Sequence, residues 1–364
     1  MSLRVALAHD FIRHGGAERV LEQFHTLWPA APVYTLLSER NDAYADWDIR
    51  PSWLQRWVPP SKYRWPLAYY PRLVEKIRIE EPVDLVVSSS VSWMKGLRVP
   101  EGIPHLCYIH RPMMFAYDRQ QDFLANYPAP LRPALRALAR RIRAWDQRTA
   151  DRPDLYVANS RYTAGRVKEL YRRDSEVVYP PVAVDAFLDA GRTTPPGEYF
   201  LTVSRLESYK RVDIIVEACT RLGLPLKVAG RGPELERLRA IAGPTVEFLG
   251  YAPTAELPSL IAGCRAFLFS AEEDFGISPV EAQAAGRPVL AFGAGGCLET
   301  VVPDQTGEHF PQQNADSLVE ALRNFRPERY AAAQIRGHAA QFSEVSFRER
   351  IRTLAENLVD QTHR

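Results

Sequence analysis

Short apolar runs alternate with amphipathic stretches along this chain, and that alternation restricts it to an α/β architecture. Arg4–His9 (RVALAH), Pro32–Leu37 (PVYTLL), Asp84–Ser89 (DLVVSS), His105–His110 (HLCYIH), Leu155–Asn159 (LYVAN) and Glu176–Tyr179 (EVVY) form a first series. Near-continuous apolar runs of this length read as parallel strands buried on both faces. Helical stretches lie between them, among them Glu18–His25, Leu131–Arg148 and Tyr162–Tyr171, the last capped by Ser160. A second series follows: Tyr199–Val203 (YFLTV), Lys227–Gly230 (KVAG), Val246–Gly250 (VEFLG), Cys264–Ser270 (CRAFLFS) and Pro288–Phe292 (PVLAF). Helices are expected from Val212, over Val280–Ala285, and late in the chain over Leu318–Phe325 and Phe347–Val359. Between the two series, Asp189–Glu198 (DAGRTTPPGE) collects turn formers without periodicity and reads as the start of a linker. A chain of 364 residues is long enough for two domains of ordinary size.

Bulk properties remove several classes of function. A net charge of +2 gives no global polyanion-binding character, so no nucleic-acid partner is expected. Cys107, Cys219, Cys264 and Cys297 are scattered without a CxxC pair and read as reduced core thiols. No stretch approaches the ~20 apolar residues of a membrane-spanning helix, and the apolar run at the N-terminus is too short for a signal peptide. A cytoplasmic protein is expected.

Chemistry concentrates at strand ends. In Ser270–Gly286 (SAEEDFGISPVEAQAAG), Glu273 sits on a loop after one strand and Glu281 in the first turn of the next helix, with Gly286 as its C-terminal glycine. Phe275-Gly276-Ile277 lies at that helix start, where unpaired backbone amides point outward. After the strand Tyr199–Val203, the loop Ser204–Arg211 carries Arg205 and Lys210. An arginine fork and a lysine point charge can grip a diphosphate there, or they are ordinary surface charge. Near the N-terminus, Gly15 and Gly16 precede a helix, either as a plain turn or to let a phosphate approach the backbone. The pattern is not GxGxxG, which disfavours a dinucleotide-dependent oxidoreductase. His110 ends the fourth strand, where a ligand would lie. Gly293–Gly296 is a tight turn or a place where backbone approaches a ligand.

Glu273-x7-Glu281 with Phe275-Gly276-Ile277 inside, then Ala285-Gly286-Arg287-Pro288-Val289-Leu290, resembles the donor-sugar motif of retaining GT-B glycosyltransferases, specifically glycosyltransferase family 4. The resemblance implies two doubly wound Rossmann-like domains facing across a cleft, with the C-terminal helix crossing back to the first domain. It places the first domain at 1–188 plus about 345–364 and the second at 189–344. It implies transfer of a hexose from a nucleotide diphosphate sugar to an acceptor hydroxyl, with retention. Arg205 and Lys210 would neutralise the departing diphosphate, assisted by the amides at Gly15-Gly16 and Phe275-Gly276-Ile277. Glu273 would bind sugar hydroxyls, Glu281 the ribose hydroxyls, and His110 the sugar, with Arg111 and Asp118 as acceptor contacts. Asp304–Phe310 resembles the family's next turn. No DxD motif stands at a matching place, so protein cations replace a metal. No cofactor is implied, because the nucleotide sugar is a substrate.

His9-Asp10-Phe11 with Gly15-Gly16-Ala17-Glu18-Arg19, and His110-Arg111-Pro112-Met113, are similar to bacterial surface-polysaccharide mannosyltransferases. That implies mannose from GDP-mannose and a glycan or polyprenyl-linked acceptor. The alternatives are a UDP-sugar-dependent enzyme of the same fold, or a non-catalytic nucleotide-sugar-binding subunit of a glycan-assembly complex. Two stretches bear on a membrane. Trp47–Ile79 interleaves Trp53, Trp57, Tyr63, Trp65, Tyr69 and Tyr70 with Arg56, Lys62, Arg64 and Arg72. It is either aromatic core or a surface facing acceptor or membrane. The helix Leu131–Arg148 sets six arginines against one acid, Asp146. It presents a solvated face or one attracted to the anionic inner leaflet.

Overall fold

All strand pairs are parallel, and they form two sheets. The computed structural model describes residues 3–13, 16–39, 41–118, 120–125 and 127–363. The first sheet contains β1 (Val5–Ile12), β2 (Val33–Ser38), β3 (Ile49–Pro51), β4 (Leu85–Ser90), β5 (His105–Ile109), β6 (Leu155–Ala158) and β7 (Glu176–Val177), in the order β3-β2-β1-β4-β5-β6-β7. The second contains β8 (Phe200–Val203), β9 (Leu226–Ala229), β10 (Val246–Gly250), β11 (Ala266–Phe269), β12 (Val289–Phe292) and β13 (Gly307–Phe310), in the order β10-β9-β8-β11-β12-β13. Both are doubly wound Rossmann-like sheets. The strand order reverses between β1 and β4 in one and between β8 and β11 in the other. Ligands of open parallel sheets bind outside the carboxyl ends of strands at such switch points.

The compact units are Met1–Tyr179 with Phe347–Arg364, and Pro180–Ser346. Within the first, successive residues of β1 alternate between faces. Val5 and Leu7 join Phe24 and Tyr108 on one side, and Ala6 and Ala8 join Tyr70, Trp93 and Trp145 on the other. The last helix, Glu344–Thr362, completes the first of these cores with Phe347, Ile351, Ala355 and Val359. Phe347 stacks on Phe24 at 5.8 Å and meets Tyr108 edge-on at 5.6 Å. The second unit's core is gathered from β8, β9, β11 and the helices Val212–Leu222 and Ala315–Asn324.

Several expectations are corrected. Of the expected linker Asp189–Glu198, the first five residues are the second half of a helix, Val184–Thr193, the rest is irregular, and the whole stretch belongs to the second unit. Its apolar face buries Val184 and Phe187, and Gly191 packs against the Ala285 backbone so closely that a side chain there would collide with it. Asp304–Phe310 ends in strand β13 rather than forming only a turn. The strand β3 carries no apolar run because it is a short edge strand ending in proline. Asp146 does not offset the arginines of its helix (Arg132–Arg148). It is fully buried, 3.1 Å from the Lys95 ammonium, and accepts from the Tyr117 hydroxyl at 2.7 Å. Arg136, Arg140, Arg141 and Arg148 of that helix are exposed. The four cysteines are free and buried, and burial pushes each thiol up to about 12. Among the described residues no helix is long and apolar enough to cross a membrane.

Two predictions concern stability. Phe347→Ala should destabilise the first unit by about 3–5 kcal/mol, read by urea unfolding. The second concerns pH. Burial lowers His9 to about 4 and His105 and His110 to about 3, below the ordinary 6.5. The unfolded chain therefore takes up protons below pH 6.5 that the folded chain refuses. Stability should be complete above pH 6.5 and fall as pH drops toward 3–4, by up to about 1.4 kcal/mol per pH unit for each histidine. Asp10, raised by burial to about 6 from 3.8, opposes one of the three between those values. Unfolding free energies should thus decline from pH 7 to pH 5, and His105→Gln should flatten the decline.

Candidate functional site

In the second unit, the switch-point strands β8 and β11 each release a loop from their carboxyl ends, and these loops carry the charged side chains. The loop after β8 bends through a single helical turn, Ser208–Lys210, into Arg211, which holds the left-handed conformation at φ 51°. Ser270, at the end of β11, locks that turn in place. Its hydroxyl donates to the Arg211 carbonyl at 2.6 Å and to that of Lys210 at 3.2 Å. Gln313 in turn holds the Ser270 carbonyl at 2.9 Å. A left-handed non-glycine residue persists where its surroundings over-determine it, and here the clamp is one serine.

The consequence is a direct ion pair between the Lys210 ammonium and Glu273 Oε1, both largely buried. Arg205, on the exposed part of the loop, donates from Nη2 to the Tyr209 hydroxyl at 2.6 Å. The Lys210 ammonium lies 5.3 Å from the Tyr209 ring centre. Tyr209 therefore separates the two cations, touching one through oxygen and the other through its ring.

Glu273 is held from behind. Gly296 N donates to the Glu273 carbonyl at 2.8 Å, and Gly295, at φ 61°, packs so tightly there that a side chain would strike the same carbonyl. The glycine run is thus a close approach to this loop's own backbone. The following helix, Ile277–Ala284, starts earlier than expected, because Pro279 fits within its first turn. Gly276 at φ 86° is its N-cap, and Glu281 lies in its second turn, buried. Phe275 is also buried, edge-on to Phe342 at 5.5 Å. At this position only the backbone is left to meet a ligand. Gly286 at φ 75° follows the helix as its C-terminal glycine.

In the first unit, Gly16 opens the helix Gly16–Leu27 after β1, while Gly15 lies outside the described residues. The Glu18 carboxylate accepts from the Arg13 backbone N–H at 2.9 Å, tying the end of β1 to the first turn of this helix. His110 follows β5, with Nε2 2.8 Å from Ser89 Oγ and its carbonyl held by Asn159 at 2.9 Å. Burial, then the neighbouring His9, keep it neutral near pH 7. Arg111 Nη2 stands 4.0 Å from Asp118 Oδ2, and Asp118 is also paired with Arg166.

Asp10 and Tyr209 escape the sequence reading. Fully buried at the end of β1, Asp10 accepts from the backbone N–H groups of Val91, Ser92, Trp93 and Met94 at 2.5–3.1 Å. It therefore shapes the loop after β4 across the first switch point. The available signal was a His-Asp pair ending an otherwise apolar strand. Tyr209 carried none beyond its place between two basic residues.

The aromatic stretch divides between the two readings. Tyr70 is core, whereas Trp53, Trp57, Trp65 and Tyr69 are exposed, Trp57 by 79%. Trp53, Trp65 and Tyr69 border an open hollow of about 520 Å³, with Arg72 and Lys76 on its rim. The Lys62 ammonium sits 4.4 Å over the Trp65 ring.

Two family models match this chain. The one described as Glycosyltransferase Family 4 covers residues 14–186, and Glycosyl transferases group 1 covers 189–341. The chain belongs to glycosyltransferase family 4. Other glycosyltransferases are distant relatives. The alpha-1,3/1,6-mannosyltransferase ALG2 of Rhizomucor pusillus is 24% identical over 71% of this chain and 67% of its own length. The GDP-mannose-dependent alpha-(1-6)-phosphatidylinositol monomannoside mannosyltransferase of Mycobacterium tuberculosis is 29% identical over 63% and 64%. The D-inositol 3-phosphate glycosyltransferase of Mycolicibacterium smegmatis is 30% identical over 60% and 55%. The matches thus span about two thirds or less of these relatives' lengths. Among solved structures, sucrose-phosphate synthase from Thermosynechococcus elongatus superposes with TM-score 0.75 at 16% identity, covering 99% of this chain and 100% of that one. Anabaena HepE in complex with UDP gives 0.69 at 17%, covering 98% and 100%. Both likenesses show the GT-B fold.

For this glycosyltransferase the Lys210–Glu273 pair should be visible in stability. Lys210→Met and Glu273→Gln should each destabilise the second unit, and the double variant should cost less than their sum. A coupling of about 1–3 kcal/mol is expected from a double-mutant cycle in urea.

Proposed function

We propose that this glycosyltransferase moves a hexose from a nucleotide diphosphate sugar to an acceptor hydroxyl with retention at the anomeric carbon, without a metal. The observation that carries the reading is the Lys210–Glu273 ion pair at the β8/β11 switch point, with Arg205 on the same loop. In the ligand-free chain the two charges satisfy each other. A diphosphate arriving beside Lys210 competes for the ammonium and frees the carboxylate to accept hydrogen bonds from sugar hydroxyls. Glycosidic cleavage leaves negative charge on the diphosphate and positive character on the sugar. Arg205 and Lys210 stabilise the first, aided by the backbone amides at Phe275-Gly276-Ile277. Glu281 binds the ribose hydroxyls, and Gly15 and Gly16 complete the phosphate contacts. His110, neutral, serves as a hydrogen-bonding group toward the sugar rather than as a cation. The departing phosphate accepts the acceptor proton, so no protein nucleophile is required. Arg111 and Asp118 are assigned to the acceptor.

Mannose from GDP-mannose is the preferred donor, supported by the two mannosyltransferase relatives and by the N-terminal motifs. A UDP-sugar donor is the second reading, favoured by the fold-level likeness to HepE, which was solved with UDP. The acceptor in this reading is a glycan or polyprenyl-linked sugar at the inner membrane face. The exposed Trp53, Trp57, Trp65 and Tyr69 with Lys62, Arg72 and Lys76 suit an anionic leaflet. Hydrolysis or transfer of a nucleotide sugar by the purified chain separates this reading from a non-catalytic nucleotide-sugar-binding subunit, which would bind the donor without turning it over.

The purified chain should be stabilised in thermal melts by GDP-mannose and GDP more than by UDP-glucose and UDP; the reverse order selects the second reading. Lys210→Ala should lower turnover by about 10²–10³-fold with the fold intact. Activity should survive complete chelation. Loss on chelation that manganese restores would refute the metal-free mechanism, and an inverted product by NMR would refute retention.

A further inference from the structure

A second cationic site lies within the C-terminal unit, at the opposite end of its sheet from Arg205 and Lys210. Arg265 immediately precedes β11, and Arg287 precedes β12 by one residue. Because the strands are parallel, these positions lie at the amino ends, remote from the switch-point loops at the carboxyl ends. They line a cavity of about 580 Å³ together with Arg336, from the helix Ala332–Ala339. That volume falls in the range of about 300–1,000 Å³ typical of small-ligand sites.

The electrostatics of the cavity are unbalanced. Arg287 is only 7% exposed, and its buried Nε has no hydrogen-bond partner. The groups that act on its charge are Cys264, Arg336 and Tyr199, and no carboxylate is among them. Burial pushes both the Cys264 thiol and the Tyr199 hydroxyl to about 12, so neither is an anion at neutral pH. Two carboxylates border the cavity. Glu328 is 3.5 Å from Arg265, and Glu198 is exposed. Arg336 adds a second positive charge and makes no ion pair among the described residues. Its Nη1 lies across Gly286, where a Cβ would come within 2.8 Å of it. That glycine leaves room for the guanidinium beside Arg287. A buried cation without a counter-charge, facing another cation, is strongly unfavourable unless an anion completes it.

We propose that this cavity binds a phosphate-bearing small molecule, its phosphoryl group held between the Arg287 and Arg336 guanidinium groups. Arginine forks match phosphate geometry and pair with it through two hydrogen bonds at once. A free phosphomonoester and a lipid phosphate headgroup share this chemistry.

The test uses the full chain carrying Lys210→Ala, which weakens any response of the switch-point loops, in phosphate-free buffer; a response that remains there is unaffected by Arg336→Gln or Arg287→Met. Inorganic phosphate and glycerol 3-phosphate should raise its melting temperature saturably. Arg336→Gln should weaken that response at least about tenfold. Arg287→Met should abolish it, and should raise the melting temperature in the absence of phosphate, because an uncompensated buried charge has been removed. Sedimentation with phosphatidic acid vesicles that Arg287→Met abolishes would identify a headgroup as the source; response to glycerol 3-phosphate alone would identify a soluble phosphomonoester. The proposal is overturned if the Lys210→Ala chain responds to none of these probes, or if Arg336→Gln responds as strongly as its parent. Should Arg287→Met not fold, Arg336→Gln, less buried, carries the comparison. A failure of nucleotide binding in the parent protein leaves this outcome untouched.

Discussion

A parallel sheet covered on both faces has almost nowhere to put a polar side chain except at the ends of its strands. Both units obey this constraint, and their chemistry follows from it. In each, a small polar residue at a strand's carboxyl end ties down a loop across the switch point. Asp10 does so by accepting four backbone N–H groups from the loop after β4. Ser270 does so by donating to two successive carbonyls of the loop after β8. The first gathers donors around a carboxylate, and the second holds a strained turn around a hydroxyl. Neither residue needs to touch a substrate to decide where Lys210 or the Ser90–Met94 segment stands.

The same constraint explains why glycines cluster where they do. Loops leaving adjacent strand ends must share little space. Gly295 and Gly296 lie directly on the backbone of Glu273–Phe275. The Glu273 loop is thus held by the Gly295-Gly296 backbone, and its partner Lys210 by Ser270. In the mechanism proposed above, pre-positioning of this kind would let charge meet a departing diphosphate without rearrangement at the moment of reaction.

The interior strands and the family motifs were legible in the sequence, because burial on both faces writes a continuous apolar run. The edges were not. The strands β3 and β13 are short and half-solvated, so they carry no such run. The second half of the helix Val184–Thr193 was mistaken for linker because Asp189 and Gly191 look like turn formers when the apolar residues before them are read separately. At the site, Arg205, Lys210, Glu273 and Glu281 could be named from spacing and resemblance. That Lys210 and Glu273 pair with each other, and that Tyr209 stands between the cations, required side-chain geometry. Asp10 was hidden for the opposite reason: a buried carboxylate is defined by the amides around it, and those come from residues more than eighty positions away.

The closing helix carries a consequence for biogenesis. Phe347, Ile351, Ala355 and Val359 are core residues of the unit that begins with β1. A ribosome will have produced every strand of the N-terminal sheet, and the whole of the following unit, before it supplies them. The second unit can therefore mature while the first still exposes Phe24 and Tyr108 to solvent. For this polypeptide the usual N-to-C order of domain completion is reversed, and the N-terminal half has the longest wait as an unfinished client of chaperones.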